Sequence, residues 1–134
     1  MATLGLSFEE AIRLHGHAGP FLALGYRAGR YAVDVLKPQS IHDLHAILHL
    51  PLRTPYTCIA DGVQAATCCT LGKGNIELRE AKRVCFVFYC GTRKRSLTLL
   101  PRLEVLEKIL QDGSDYQVQW VLQQPIDQLF VITH

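Results

Sequence analysis

The stretch that decides the fold is residues 56–75, YTCIADGVQAATCCTLGKGN. Small and apolar residues recur here at helical spacing. The stretch contains three of the five cysteines of the chain. The pattern predicts a helix that begins after Thr54 or Thr57, either of which is a suitable N-cap, and runs to about Leu71. The glycine-rich LGKGN sequence is expected to end the helix.

One face of this predicted helix carries small residues between two thiols. Cys58, Gly62, Ala65 and Cys69 lie on the same side, because an offset of eleven residues returns almost to the starting direction. On a straight helix the two thiols would be roughly 16 Å apart, so both could bind one ion only if the segment bends or if one thiol comes from a second chain. Cys58 lies in the first turn, where the helix dipole is expected to favour its thiolate. The segment is therefore either half of a site or a buried helix that uses cysteine as a small apolar residue.

Two helices are predicted before this segment. Ser7 and Glu10 form a capping-box pattern that predicts a helix from Ser7 to Leu14. A longer helix is predicted from Phe21 to Leu36, with glycines on one face that indicate a close neighbour, such as another helix.

The remaining pattern predicts strands and two further helices. Strands are predicted over 44–52, 75–78, 82–90, 96–100 and 128–132, and helices over 101–111, ending near Gly113, and 115–124. Strands and helices do not alternate regularly. We therefore predict a single α+β domain over 1–134, with a mostly antiparallel sheet and helices on one face.

Composition limits the class of protein. Hydrophobic residues make up 49% of the chain, which predicts a homodimer that hides additional apolar surface. The net charge of +2 is too small to indicate nucleic-acid binding. The N-terminus carries acidic residues where a signal peptide needs basic ones, and no apolar run is long enough to span a membrane. We expect a cytoplasmic protein with free cysteines and no membrane partner.

The sequence HGHAGP, residues 15–20, supplies a second set of candidate ligands. His15 and His17 flank a glycine, so their rings point the same way in an extended chain. Together with Cys58 they predict a His/Cys metal site. The alternatives are a metal- or thiol-dependent enzyme, with Cys58 as nucleophile and His17 as base, and a structural dimeric partner with no site. A rival histidine cluster at 42, 45 and 49 also fits a solvated sheet face.

Two motifs in combination carry a family resemblance. HGHAGPFLALGYRAG, residues 15–29, followed by TPYTCIADGVQAATCCTLGKGNI, residues 54–76, resembles the E-subunit family of formylmethanofuran dehydrogenase (FmdE/FwdE). The resemblance implies an α+β domain in an intertwined homodimer. It also implies a metal-binding accessory protein that assists a molybdenum or tungsten one-carbon oxidoreductase, with the subunits of such a complex as partners.

The resemblance also assigns roles to individual residues. It implies His17 as the first metal ligand, with His15, Cys58 and Cys69, and it implies zinc, with nickel or iron as alternatives. The residues expected around the metal or a ligand are Asp61, Gln64, Lys73 and Asn75. The sequence departs from the family pattern at Gly19, where a cysteine is common, and at Cys68, where a glycine is usual. No pterin or iron–sulfur cluster is expected on this chain alone, because its cysteines lack cluster spacing.

Overall fold

The chain folds around a five-stranded mixed sheet, and the predicted α+β class is confirmed. The structure is a computed structural model that describes residues 4–111 and 115–134. In chain order its elements are α1 (Phe8–His15), α2 (Pro20–Leu36), β1 (Leu44–Leu50), α3 (Cys58–Thr67), a 3-10 turn (Leu71–Lys73), β2 (Ile76–Glu80), β3 (Cys85–Cys90), β4 (Arg95–Pro101), α4 (Leu103–Gln111), α5 (Asp115–Gln123), α6 (Ile126–Leu129) and β5 (Phe130–Thr133). The predicted helix end near Gly113 lies outside the described residues.

The sheet contains one parallel pairing. Its strand order is β2-β1-β3-β4-β5, and β1 runs parallel to β2, with Ala46 opposite Ile76. The β1–β3, β3–β4 and β4–β5 pairings are antiparallel. The parallel pairing follows from α3, because a helical crossover between two strands returns the chain to the same end of the sheet.

The strand β1 shows how the core lies on one face of the sheet. Leu44, Ala46, Leu48 and Leu50 are buried, whereas the residues between them are partly or fully exposed. Because side chains alternate between the two faces of a strand, one face of β1 carries the core and the other is open in the single chain.

Helices α2 and α3 pack with their backbones in contact. A Cβ atom added at Gly25 would overlap the carbonyl oxygen of Ile59, and one added at Gly62 would overlap that of Leu22. The close neighbour predicted for the glycines of α2 is therefore α3 of the same chain. At Gly62 the small-residue face of α3 is therefore occupied by α2. The face of α2 that carries Gly25 and Gly29 is occupied by α3 and gives no support for a dimer interface.

The predicted extent of α3 was wrong at its C-terminus. The helix begins at Cys58, directly after Thr57, whose side chain forms no capping hydrogen bond. It ends at Thr67, because Cys68 takes a left-handed conformation with φ of 64° and closes the helix through its N–H to the carbonyl of Gln64. The cap that the sequence assigned to the glycines is thus a cysteine.

Other predicted boundaries changed less. The capping box of Ser7 and Glu10 is present, and α1 runs one residue beyond the predicted Leu14. Pro101 ends β4 and does not open α4. Within the described residues, no helix is long and apolar enough to cross a membrane.

Candidate functional site

The first feature of the site is a cavity of about 200 Å³, called here the histidine cavity. Its polar wall is formed by His15, His17 and Cys58. The apolar wall is formed by Pro20, Phe21, Leu22, Pro55, Ile109 and Leu110. The HGHAGP stretch and the N-terminus of α3 therefore meet in three dimensions.

Local backbone structure explains this meeting. His15 is the last residue of α1, and Gly16 closes that helix at φ of 109°, a conformation that favours glycine. The chain then reverses into α2, whose N-cap is Gly19 and whose first residue is Pro20. This tight connection holds both histidines beside the first turn of α3.

The best-held side chain in the cavity is His15. Its Nδ1 lies 2.6 Å from Oδ2 of Asp61, and its side chain is only 10% exposed. Because an ionised carboxylate only accepts hydrogen bonds, Nδ1 must donate, and in the neutral imidazole Nε2 is then the nitrogen without a proton. That Nε2 is buried and has no hydrogen-bond partner among the described residues. A carboxylate behind a histidine with a free second nitrogen is the arrangement that orients metal-ligating histidines in proteins.

His17 is placed less favourably than predicted. It is exposed, and its Nδ1 lies 3.1 Å from the carbonyl oxygen of Ala18. Its ring centroid is 4.8 Å from that of His15, so the two rings are neighbours. As a candidate metal ligand, His15 is better placed than His17, because of the two only His15 is held by a carboxylate.

The pKa of the Cys58 thiol is shifted in the direction opposite to the one that the sequence predicts. Cys58 is half-buried, and burial raises the pKa of its thiol, with the negative charge of Asp61 raising that pKa further. The expected lowering by the helix dipole was wrong, because desolvation and a nearby carboxylate outweigh the partial charge at the start of a short helix. Cys58 is thus a neutral thiol at pH 7 unless a metal or base removes its proton.

Cys69 lies in the core and does not line the histidine cavity. It is fully buried, its Sγ donates to the carbonyl oxygen of Leu44 at 3.1 Å, and burial raises the pKa of its thiol. The left-handed residue Cys68 redirects the chain before Cys69, so the shared helical face of Cys58 and Cys69 does not form. The residue implied as a metal ligand is therefore a core residue of the fold.

Asn75 also serves the fold. Its Oδ1 accepts from the backbone N–H of Thr70 at 2.9 Å, and its Nδ2 donates to the carbonyl oxygens of Ile41 and Leu44. Each polar atom of this buried amide is used. The side chain expected to face a ligand instead ties the exit of α3 to the start of β1.

A second cavity, of about 420 Å³, lies at the exit of α3 and is called here the exit cavity. Its polar residues are Asp61, Gln64, Cys68, Thr70 and Lys73, and its apolar ones are Leu6, Leu14, Ile41 and Ala65. Gln64 donates to Oδ1 of Asp61 at 3.3 Å and accepts from the N–H of Leu71. Asp61 lines this cavity while its other oxygen holds His15, so it connects the two cavities.

Comparison with known proteins identifies the family of this chain. Residues 14–130 match the protein family described as "FmdE, Molybdenum formylmethanofuran dehydrogenase operon". This chain belongs to the FmdE family. A curated relative from Archaeoglobus fulgidus, named "Probable S-adenosyl-L-methionine-binding protein", is 31% identical over 99 residues. The match covers 69% of this chain but only 23% of that relative, so the chain spans about a quarter of the relative's length.

The histidine cavity of this FmdE-family chain contains some, but not all, of the ligand atoms that a metal ion needs. Across residues 4–111 and 115–134, no group of three or more His, Cys, Asp or Glu side chains is arranged to hold an ion. The free Nε2 of His15 and the Sγ of Cys58 are the nitrogen and sulfur donors that zinc and related metals accept. The donor chemistry therefore fits, and further ligands would have to come from elsewhere.

Sequence reasoning missed part of the cavity wall. Ile109 and Leu110 belong to α4, far from both motifs in the sequence. The amphipathic pattern of 101–111 indicated that one face of this helix is buried. It could not indicate which element that face contacts, because pairing between distant elements leaves no local signal.

Proposed function

We propose that this FmdE-family chain is a metal-binding accessory protein that holds a transition metal, zinc first, in the histidine cavity. His15 and Cys58 would be its ligands, and a formylmethanofuran dehydrogenase-type complex would be its setting. The observation that carries the proposal is the buried Nε2 of His15, which has no partner among the described residues, while Asp61 holds the opposite nitrogen.

The energetics of that nitrogen favour a bound partner. A buried polar atom without a hydrogen bond costs about 1–3 kcal/mol, and a metal ion would remove this cost. Asp61 would orient the ring and make Nε2 a stronger donor, as such carboxylates do at metal centres. Water, a substrate or the neighbouring His17 would complete the coordination shell.

The proposal fixes the direction of the pH dependence. The pKa of Cys58 is raised, so its thiol must lose a proton when it binds a metal. Metal binding therefore releases protons, and affinity decreases as the pH falls.

Zinc binding to metal-free protein, measured by equilibrium dialysis and elemental analysis, tests the proposal. His15→Ala is expected to weaken binding at least about tenfold, since loss of even an outer-shell partner commonly costs 10–100-fold. His45→Ala is the matched control, because His45 is an exposed residue of β1 that does not line the histidine cavity. Equal zinc content in the two variants would remove His15 as a ligand.

A thiol-dependent enzyme is the second candidate, favoured by the same triad of residues. Cys58, His15 and Asp61 are the residue types of a nucleophile, a base and an orienting acid: His15 contacts Asp61, and His15 and Cys58 line the same cavity. His15 would replace His17 as the base: its Nε2 would take the thiol proton as Sγ bonds to an electrophilic carbon and displaces a leaving group, which departs with the bonding electron pair. In metal-free protein, His15→Ala should then slow alkylation of Cys58 by iodoacetamide, whose leaving group is iodide. If Cys58 reacts no faster than Cys85, whose pKa is also raised by burial, this candidate fails.

The homodimer also remains a proposal, supported by the apolar composition. Sedimentation velocity at micromolar concentration is expected to show a dimer. A 15.0 kDa species alone would contradict it.

A further inference from the structure

The exit cavity contains a cation with unused hydrogen-bond donors. Lys73 is half-buried, and its Nζ donates to Oγ1 of Thr70 at 2.8 Å. A lysine ammonium has three donors, so two stay available. Within the part of the chain that the structure describes, Lys73 forms no ion pair, since the three pairs present join His15 to Asp61, Arg30 to Asp34 and Arg79 to Glu77.

The same cavity contains an anion with unused acceptor positions. Asp61 accepts one hydrogen bond from His15 and a long one from Gln64. A carboxylate offers about four lone-pair positions, so about two stay available. The side chain of Asp61 is 41% exposed, which leaves it open to a ligand.

The rest of the wall is apolar and open. Leu6, Leu14 and Ile41 are all exposed large hydrophobic residues, and Leu14 is 58% exposed. These three residues line the exit cavity together with Ala65. Large apolar side chains gathered beside a few polar groups are typical of a small-molecule site, and 420 Å³ lies within the usual range for such sites.

We propose that the exit cavity binds a small molecule with an α-amino-acid head group and an apolar side chain. The ligand carboxylate would contact Lys73, its ammonium group would contact Asp61, and its apolar part would cover Leu6, Leu14 and Ile41. One cationic and one anionic side chain line the cavity, so a zwitterion satisfies both charges. A simple anion would lie beside the uncompensated Asp61, and a simple amine would lie beside Lys73.

This inference does not depend on the proposed metal. Binding is therefore measured by isothermal titration calorimetry on metal-free protein with a chelator present. Three probes of nearly equal shape separate the charges: leucine, 4-methylpentanoate, which lacks the amine, and 3-methylbutylamine, which lacks the carboxylate. Leucine is expected to bind, and each truncated probe is expected to bind at least about tenfold more weakly, a difference of about 1.4 kcal/mol.

Variants of the lining residues test the placement. Lys73→Met and Asp61→Asn should each weaken leucine binding at least about tenfold, and Leu14→Asn should weaken it because the apolar wall is interrupted. Lys82→Met is the matched control, because Lys82 is exposed and does not line the exit cavity. Circular dichroism checks that each variant is folded.

Three results would overturn the inference. The first is no saturable binding of leucine at about 10 mM, a concentration that would largely fill a site with a millimolar Kd. The second is 4-methylpentanoate binding as tightly as leucine, which would indicate an anion site without a role for Asp61. The third is equal leucine affinity in Lys73→Met and Lys82→Met.

Discussion

The two ends of the segment 56–75 use the same kinds of residue for different purposes. At the N-terminal end, Asp61 holds His15 and leaves its Nε2 without a partner among the described residues, beside Cys58 in a cavity. At the exit, the polar atoms of Cys69 and Asn75 bond to backbone groups. The difference shows that residues of one motif can be distinguished by whether their hydrogen-bonding atoms are already used within the fold.

The largest expected effect is on the helix contact that positions both ends. In Gly62→Ala the new Cβ would overlap backbone atoms of Leu22 and Tyr26, which cannot rotate away. We expect a loss of roughly 3 kcal/mol or more in the free energy of unfolding, measured with urea. Gly72→Ala is the control, since open space surrounds Gly72 and the change should stay within about 0.5 kcal/mol. Equal stability of the two variants would contradict the packing of α2 on α3.

The scaffold around the exit should also show an acid-dependent stability. Buried Asp43 accepts hydrogen bonds from the hydroxyl and N–H of Thr92, the N–H of Gln39 and the thiol of Cys90. The Thr92 hydroxyl contributes most to holding the pKa of Asp43 far below its usual value, against the opposing effect of burial.

A lowered folded-state pKa gives stability that is complete above the unfolded value, near 3.9, and is lost as the pH falls toward the folded value. Asp43→Asn should therefore lower stability at pH 7 by roughly 1.5–3 kcal/mol and flatten the decline in acid. Asp34→Asn, at a more exposed ion pair with Arg30, is the control and should change little. A wild-type acid profile in Asp43→Asn would show that Asp43 is not a source of this dependence.

Asn75 distinguishes scaffold from site directly. Asn75→Ala removes the partners of the Thr70 N–H and of the carbonyl oxygens of Ile41 and Leu44. We expect a loss of about 1–2 kcal/mol in unfolding free energy, with zinc stoichiometry unchanged. Normal stability combined with lost zinc would instead make Asn75 a site residue.

Cys58 should behave in the opposite way, with the smallest effect on stability. Cys58→Ser is expected to change the free energy of unfolding by less than about 1 kcal/mol, because the residue is only half-buried. The zinc content of Cys58→Ser should fall below that of the control variant Cys85→Ser. Cys85 is also half-buried, but it lies on β3 and does not line the histidine cavity. Equal zinc content in the two serine variants would contradict Cys58 as a zinc ligand.

The sequence allowed the α+β class and the meeting of HGHAGP with the start of α3 to be predicted, but not which side chains are held in place there. Helical periodicity identified α2 and α3, and Gly25 and Gly29 of α2 indicated a close neighbour, which is α3. His15 is a better-placed candidate ligand than His17 because of its hydrogen bond to Asp61, 46 residues away, and no local sequence pattern encodes that bond. The cap at Cys68 was missed because left-handed conformations are expected at glycine, and two glycines follow closely.

The central claim is that the metal lies at the N-terminal end of α3 and not at its exit. Anomalous diffraction from zinc-loaded crystals, recorded at the zinc absorption edge, locates the ion directly. We expect a single anomalous peak within bonding distance, about 2.0–2.3 Å, of Nε2 of His15 and Sγ of Cys58. A peak beside Cys69 or at His45 or His49 of β1, or no ordered zinc in fully loaded protein, would contradict it.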